Sequence, residues 1–527
     1  MNESEITGIA QVVFLAVIVA GIARNRGIAP AIPLLATGLI VGFAPIGPGA
    51  PTDPEFVLVA VLAPLVFGEA LSSSIVDLRR VSRPVMALAI GLVVFGAFVI
   101  GFVASALVPS MPFTVALCLG AILAPTDAVA VAATAKTAGL PRRLVSILEG
   151  ESLVNDGTAL TLLRVASVSA AAGTITVGEG AQILAASVLG GLLAGVVGGA
   201  ILVLVVRRAA DVTVVNSLIL LAPFPIYFAA EVIGGSGILA VVGAALIVAQ
   251  GTSSAITYMG RLQAASLWRT VTFILQATAF FLVGVEFPAV LEEMDSDARQ
   301  QLLVLVPVVF LALVASRFAF LFAKSLFNPN VDHRKDQSWI IAAWSGTRGP
   351  ISALAAFTLP LTLDDGTTPF PYRGLIISTT FCVVLITLLL APTIAPLARR
   401  LNLPHDDDSA MLDRVRTQMA RSALDRLEEI QEAADRAGRP ISKDILDPLR
   451  TVTEGRLARA AEAEADDSEN PRGAQDAAFR ARIGGELVHA EQQELLRLRD
   501  EESLPDSMMR SLQAELDVRL KAIQQAG

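Results

Sequence analysis

Charge is scarce in this sequence: 17% of its 527 residues are Asp, Glu, Lys or Arg, where a soluble protein carries about a quarter. Hydrophobic residues make up 54% and the mean hydropathy is +0.64. Length alone would suggest several soluble domains, but apolar runs of membrane length exclude that reading. Cysteine is nearly absent. Cys118 and Cys382 both sit in apolar runs, which excludes a disulfide framework and a thiolate metal site. The three histidines, His333, His405 and His489, lie in polar stretches without ligand spacing, so no cofactor is expected. Aromatics are few at 6%, while glycine and alanine are abundant, as suits close helix packing in lipid. The acidic start, Met1 to Glu5, predicts no cleavable signal peptide.

The charge that is present is unevenly placed. Residues 1–400 hold 22 Lys/Arg and 22 Asp/Glu, so the whole net charge of −9 falls in residues 401–527. The chain reads as a neutral membrane part, residues 1–403, followed by an acidic helical cytoplasmic tail, residues 404–527. That balance argues against a nucleic-acid partner. In the tail, leucine and alanine recur at helical spacing near 409–437, 441–466, 475–499 and 504–525, with breaks at Gly438, Pro440 and Pro471. A small regulatory module answering to pH or a soluble ligand is expected there.

A helix needs about 20 mostly apolar residues to cross the hydrocarbon. Thirteen segments qualify: 6–24, 28–44, 55–71, 84–108, 113–134, 144–171, 179–206, 212–230, 236–251, 267–287, 301–325, 337–359 and 372–398. The expected fold is therefore all-α and polytopic. Basic residues collect on alternate ends of these spans, at Arg24/Arg26, Arg79/Arg80/Arg83, Lys136/Arg142/Arg143, Arg207/Arg208, Arg261/Arg269, Lys324/Arg334/Lys335 and Arg399/Arg400. The opposite ends offer only Arg299 and Arg373. The positive-inside rule then predicts a multi-pass protein of the cell membrane with its N-terminus outside and its tail in the cytoplasm.

An ionisable residue inside a span is costly and marks a functional candidate. Three clusters stand out. In the fifth span, Pro125 interrupts the helix beside Thr126 and Asp127, and a break at membrane depth is tolerated where it lines a cavity or holds an ion. In the sixth, Ser152, Asn155 and Asp156 stand three and four residues apart, on one helical face. Those oxygens suit a hard alkali cation, and a carboxylate there can instead hold a proton. Glu151 on the neighbouring face needs a buried partner, for which Arg317 in the eleventh span is the candidate. In the twelfth, Ser345 to Pro350 form a second interruption around Arg348, which can neutralise half-helix dipoles.

These stretches resemble the cation–proton antiporter superfamily, specifically its electroneutral sodium/proton exchanger branch. The resemblance rests on Pro125-Thr126-Asp127, on Glu149 to Gly157 with its Asn155-Asp156 pair, and on Gly346-Thr347-Arg348-Gly349, and it covers about residues 6–400. It implies a homodimer with a dimerisation part, residues 6–83 and 179–287, and an ion-binding core, residues 84–171 and 301–398, built of inverted repeats whose unwound helices cross at Thr126 and Thr347. It also implies elevator-like movement of the core. By resemblance, Na+ is held at Asp156, Asp127, Ser152 and a Thr126 oxygen, with Asn155 in support. Glu151 and Arg317 would be a structural ion pair, and Arg348 would stabilise the unwound region. Glu69, in Phe67-Gly68-Glu69-Ala70, matches a third-span glutamate that helps ligation in some members, although many read Phe-Glu-Ala without the glycine. A single titratable group in the Asn155-Asp156 pair implies one-for-one exchange.

The reading that follows is competition of cation and proton at Asp156 under alternating access. Rival readings are a potassium/proton antiporter of the same mechanism, a cation channel, and an intramembrane aspartyl protease. The channel lacks a repeated carbonyl filter, and the protease would want Gly-x-Gly-Asp where this chain has Val154-Asn155-Asp156.

Overall fold

In hydrocarbon no water satisfies backbone N–H and C=O groups, so a spanning chain must close its hydrogen bonds within each segment. The computed structural model describes residues 3–44, 58–73, 78, 81–127, 140–172, 177–209, 211–252, 258–326, 337–363, 365–401, 409–438, 441–465 and 518. These residues are all-α. The departure from helix is an isolated bridge, Thr362 to Pro369, in a connecting loop. Two compact units divide the chain, Met1–His405 and Asp406–Gly527.

In the first unit the helices are α1 Glu3–Asn25, α2 Ala31–Gly42, α3 Ala63–Ser72, α4 Ser82–Leu107, α5 Phe113–Leu123, α6 Arg142–Ala171, α7 Val177–Arg208, α8 Val212–Val232, α9 Gly237–Thr252, α10 Tyr258–Glu293, α11 Ser296–Leu326, α12 Ser338–Trp344, α13 Pro350–Phe357 and α14 Arg373–Leu390. Each of the thirteen apolar segments overlaps at least one of these helices. Among the described residues, seven helical stretches are long and apolar enough to cross a membrane, and α2, α3, α5 and α9 are shorter apolar helices. Residues 55–57 and 128–134 of the expected third and fifth spans lie outside the described residues.

The lengths differ from expectation in informative places. Helix α10 starts at Tyr258, nine residues before the apolar run expected from 267, and continues past Pro288. Helix α4 contains a π-helical turn, Ala87–Leu92, and α3 is preceded by another, Leu58–Leu62. Beyond α14 the chain passes through a 3₁₀ turn, Ala391–Thr393, into a final short helix, Ile394–Arg400.

Packing groups the helices. Residues 84–171 and 301–398 share one apolar cluster around Ile100, Leu119, Leu163, Val309 and Ile376, and another around Leu88, Leu144, Leu321 and Ile341. Helices α3, α8 and α9 meet around Phe67, Ile219 and Val241. Helices α1, α2 and α10 meet around Ala16, Leu35 and Phe281, with Phe287 stacked 3.8 Å from Phe381 of α14.

Small residues set how close the helices come. On α7, Gly191, Gly195 and Gly199 face Ser236, Ala240 and Ala244 of the α9 segment. Both rows advance by four residues in the same sense, so the two helices run parallel. A Cβ added at Gly195 would stand 2.5 Å from the Ala240 carbonyl oxygen. Gly38 and Gly42 of α2 meet the backbone of Phe281 and Val285 on α10 in the same way.

Among the described residues the second unit holds two helices, α15 Ser409–Arg436 and α16 Lys443–Ala465. Gly438, in the left-handed region at φ +68°, makes the turn between them. Arg450 Nη2 donates to Gln431 Oε1 at 3.2 Å across the pair. The helices expected at 475–499 and 504–525 lie outside the described residues, apart from Val518.

Candidate functional site

Two helix interruptions meet in the first unit. Helix α5 stops at Leu123 because Pro125 cannot donate to the preceding turn, leaving Thr126 and Asp127 in irregular backbone. Helix α12 stops at Trp344, and α13 restarts at Pro350, a residue suited to a first helical position. The interrupted segments bind each other directly: the Asp127 amide donates to the Thr347 carbonyl at 2.8 Å, and the Thr347 hydroxyl donates to the Asp127 carbonyl at 3.1 Å. Gly349 leaves room for the Asp127 side chain, since an added Cβ would lie 2.6 Å from its Cγ.

Each break frees carbonyls that need donors. Arg348, 4% exposed, supplies them. Its Nε donates to the Leu123 carbonyl at 2.9 Å and its Nη2 to the Ala124 carbonyl at 3.4 Å, both at the end of α5, while Nη1 donates to Gly346 beyond α12. One guanidinium thus serves the C-terminal ends of both half-helices, where a cation also complements their dipoles.

Helix α6 runs without interruption through Glu149 to Gly157. Ser152, Asn155 and Asp156 are buried, at 7%, 0% and 5% exposure. Glu151 takes a two-pronged bond from Arg317, Nη1 to Oε1 at 2.5 Å and Nη2 to Oε2 at 2.9 Å, and accepts from the Thr126 hydroxyl at 2.9 Å. Arg317 Nε is satisfied by the Ala342 carbonyl at 2.9 Å. Asn155 Nδ2 donates to the Thr126 carbonyl at 3.0 Å and the Thr126 hydroxyl oxygen at 3.2 Å. Both Thr126 oxygens are therefore engaged within the protein. Asn155 Oδ1 is buried and has no hydrogen-bond partner among the described residues.

Three carboxylates act on one another electrostatically here: Asp156 on α6, Asp127 at the α5 break and Glu69 on α3. Glu69 Oε1 also accepts from Gln276 Nε2 of α10 at 3.4 Å. Gly68 permits that approach, because Trp268 and Thr272 of α10 press against its Cα, where a Cβ would stand 2.8 Å from Trp268 Cε3. Sequence reasoning passed over Gln276; a lone amide within an apolar span was the available signal. Arg164, a further charge within the sixth span, is also paired. In the structure Arg164 pairs with Glu231, Nη1 to Oε2, at 3.1 Å.

The arrangement gathers negative charge, a partnerless buried oxygen and two helix breaks at one place. Residues 12–400 match the family model for the transmembrane sodium/hydrogen exchanger. An uncharacterized Na(+)/H(+) exchanger of Mycobacterium tuberculosis is 32% identical over 95% of this chain and 93% of its own length. A sodium, potassium, lithium and rubidium/H(+) antiporter of Bacillus pumilus is 32% identical over 74% of this chain and 61% of its own. In fold, the sodium proton antiporter MjNhaP1 of Methanocaldococcus jannaschii superposes with a TM-score of 0.62 at 21% identity, over 75% of this chain and 98% of that one. The chain therefore belongs to the sodium/hydrogen exchanger family, a family of multi-pass monovalent cation/proton antiporters and not of enzymes.

Proposed function

We propose that the protein exchanges Na+ or Li+ for H+, one for one, across the cell membrane, with cation and proton competing at Asp156. The observation that carries this is buried Asp156, within electrostatic reach of Asp127 and Glu69, on the helix that Asn155 ties to Thr126 at the α5 break. Like charges in a low-dielectric site repel strongly, so this trio favours taking up either a cation or a proton. Oxygens of Ser152 and the partnerless Asn155 Oδ1 are suitable further donors.

Moving an empty, net-negative site through the membrane is unfavourable. That penalty couples the two fluxes, with residues 84–171 and 301–398 moving as an elevator against the rest of a homodimer. The N-terminus lies outside, and the acidic tail is a cytoplasmic regulatory module for a soluble partner. A second reading, exchange of K+ as well, is favoured by the Bacillus relative, whose name covers four alkali cations.

The test is proton flux in proteoliposomes pulsed separately with sodium, lithium and potassium, with Asp156→Asn alongside. Collapse of a preset pH gradient by sodium or lithium, lost in the mutant, is expected. A potassium response widens the substrate. Full activity of Asp156→Asn sinks the scheme.

A further inference from the structure

Helix α6 is held at two very different places. Between its Leu153 and Val154 and residues Leu246 and Gln250 of α9 lies a cavity of about 340 Å³, which also reaches Ser82 and Val85 of α4. Towards the opposite end of the same two helices, the crevice between them is bridged by hydrogen bonds. Arg164 stands eight residues beyond Asp156, about 12 Å along the helix at 1.5 Å per residue. Its Nη1 lies 3.1 Å from both Glu231 oxygens and donates to the Gly235 carbonyl at 2.9 Å.

The receiving turn is itself fixed. Glu231 Oε1 accepts from the Gly237 amide at 3.1 Å, the Gly235 amide returns to Ala230 at 2.9 Å, and the Ser236 amide donates to Ser187 of α7 at 2.8 Å. Gly234 turns the chain there at φ +75°, in the left-handed region that favours glycine. The Arg164 and Glu231 side chains remain 34% and 33% exposed, so the tie stands at the rim and not in a sealed core.

We propose that Arg164 is a positioning residue of the exchange cycle: its bonds to Glu231 and Gly235 fasten the helix carrying Ser152, Asn155 and Asp156 to the α8–α9 turn, and they open each time Asp156 is presented to that end of the crevice. The proposal rests on the alternating-access reading above. Arginine suits the task because one guanidinium can hold a carboxylate and a carbonyl together. A half-exposed pair of this kind is weak enough to break within a transport cycle.

The test uses the full chain in proteoliposomes, carrying Arg164→Cys with Glu231→Cys and treated with a bifunctional thiosulfonate reagent long enough to bridge the two positions. Each single variant, treated identically, controls for Cys118 and Cys382. In reductant the double variant should exchange sodium for protons. Bridging should slow exchange at least tenfold, with recovery on reduction. Protein shown by mass spectrometry to be bridged, yet exchanging at the unbridged rate, overturns the proposal.

Glu231→Gln gives an independent arm. Loosening the tie should raise the KM for Na+ measured at the cavity end and lower it at the Arg164 end, whereas a purely structural defect would impair both. Unchanged KM values on both sides also overturn it. Absence of exchange in the unmodified protein instead refutes the functional reading, so the two failures are distinguishable.

Discussion

Replacing Arg317 with leucine strips Glu151 of both guanidinium bonds and leaves a carboxylate that is 1% exposed, with the Thr126 hydroxyl as its remaining hydrogen-bond donor among the described residues. Leaving one charge of a buried pair unpaired costs about 3–5 kcal/mol. At 1.4 kcal/mol per factor of ten, that is roughly a 100- to 5,000-fold fall in the folded-to-unfolded ratio. Glu151→Gln should cost a similar amount, because it strands Arg317, itself 3% exposed, with the Ala342 carbonyl as its other partner. The double variant removes both charges while Gln still accepts from Thr126, so its loss should be no more than about 1–2 kcal/mol, since uncharged replacements of a buried pair are often neutral. Unfolding by detergent titration in mixed micelles reads all three. Additive losses, or a single-variant loss below about 1 kcal/mol, would refute the claim that this pair is buried against itself.

Two further outcomes are expected. Gly349→Ala should cost about 1–3 kcal/mol through overpacking and slow sodium-driven exchange more than tenfold, because its methyl would lie 2.7 Å from Asp127 Cβ. Gly346→Ala should be milder, since it meets the side chains of Arg348 and Arg317, and equal effects in the two variants would refute this reasoning. In the loop before α14, the Thr368 hydroxyl, then the Thr368 and Thr367 amides, hold the Asp365 carboxyl down at about 2 from an ordinary 3.8. A lowered folded value means these bonds stabilise the loop above the ordinary carboxyl range and are lost as pH falls towards about 2. Amide exchange at Thr367 and Thr368, corrected for intrinsic rates, should accelerate across that window in the wild type but not in Asp365→Asn.

Much of this architecture was legible because its signals are local. Apolar length located the helices, and Pro125 and Gly349-Pro350 marked the two interruptions before any contact was known. The spacing of Ser152, Asn155 and Asp156 placed them on one face. What stayed hidden depends on distant partners. Thr126 reads as a free oxygen donor, yet its hydroxyl and carbonyl are taken by Glu151 and Asn155, 25 and 29 residues away. Arg164 meets Glu231 across 67 residues, and Glu69 meets Gln276 across 207. The π-turns in α4 and before α3 carry no proline in Ala87–Leu92 or Leu58–Leu62. Helix α10 outruns its apolar core because helix formation does not require apolarity outside the membrane.

The glycine rows of α7 and α2 bear on how the protein can vary. Where backbone touches backbone, as at Gly195 on Ala240 and Gly199 on Ala244, the neighbour has no rotamer with which to give way. Substitution at such a position is close to binary: glycine keeps the two helices as one piece, and any side chain pries them apart along their length. Positions of the same helix that no neighbouring helix of this chain covers, such as Leu189 and Leu193, which are 67% and 61% exposed, tolerate a wider choice of apolar side chains. A single helix thus carries one edge frozen in sequence and another free to drift with the membrane it meets.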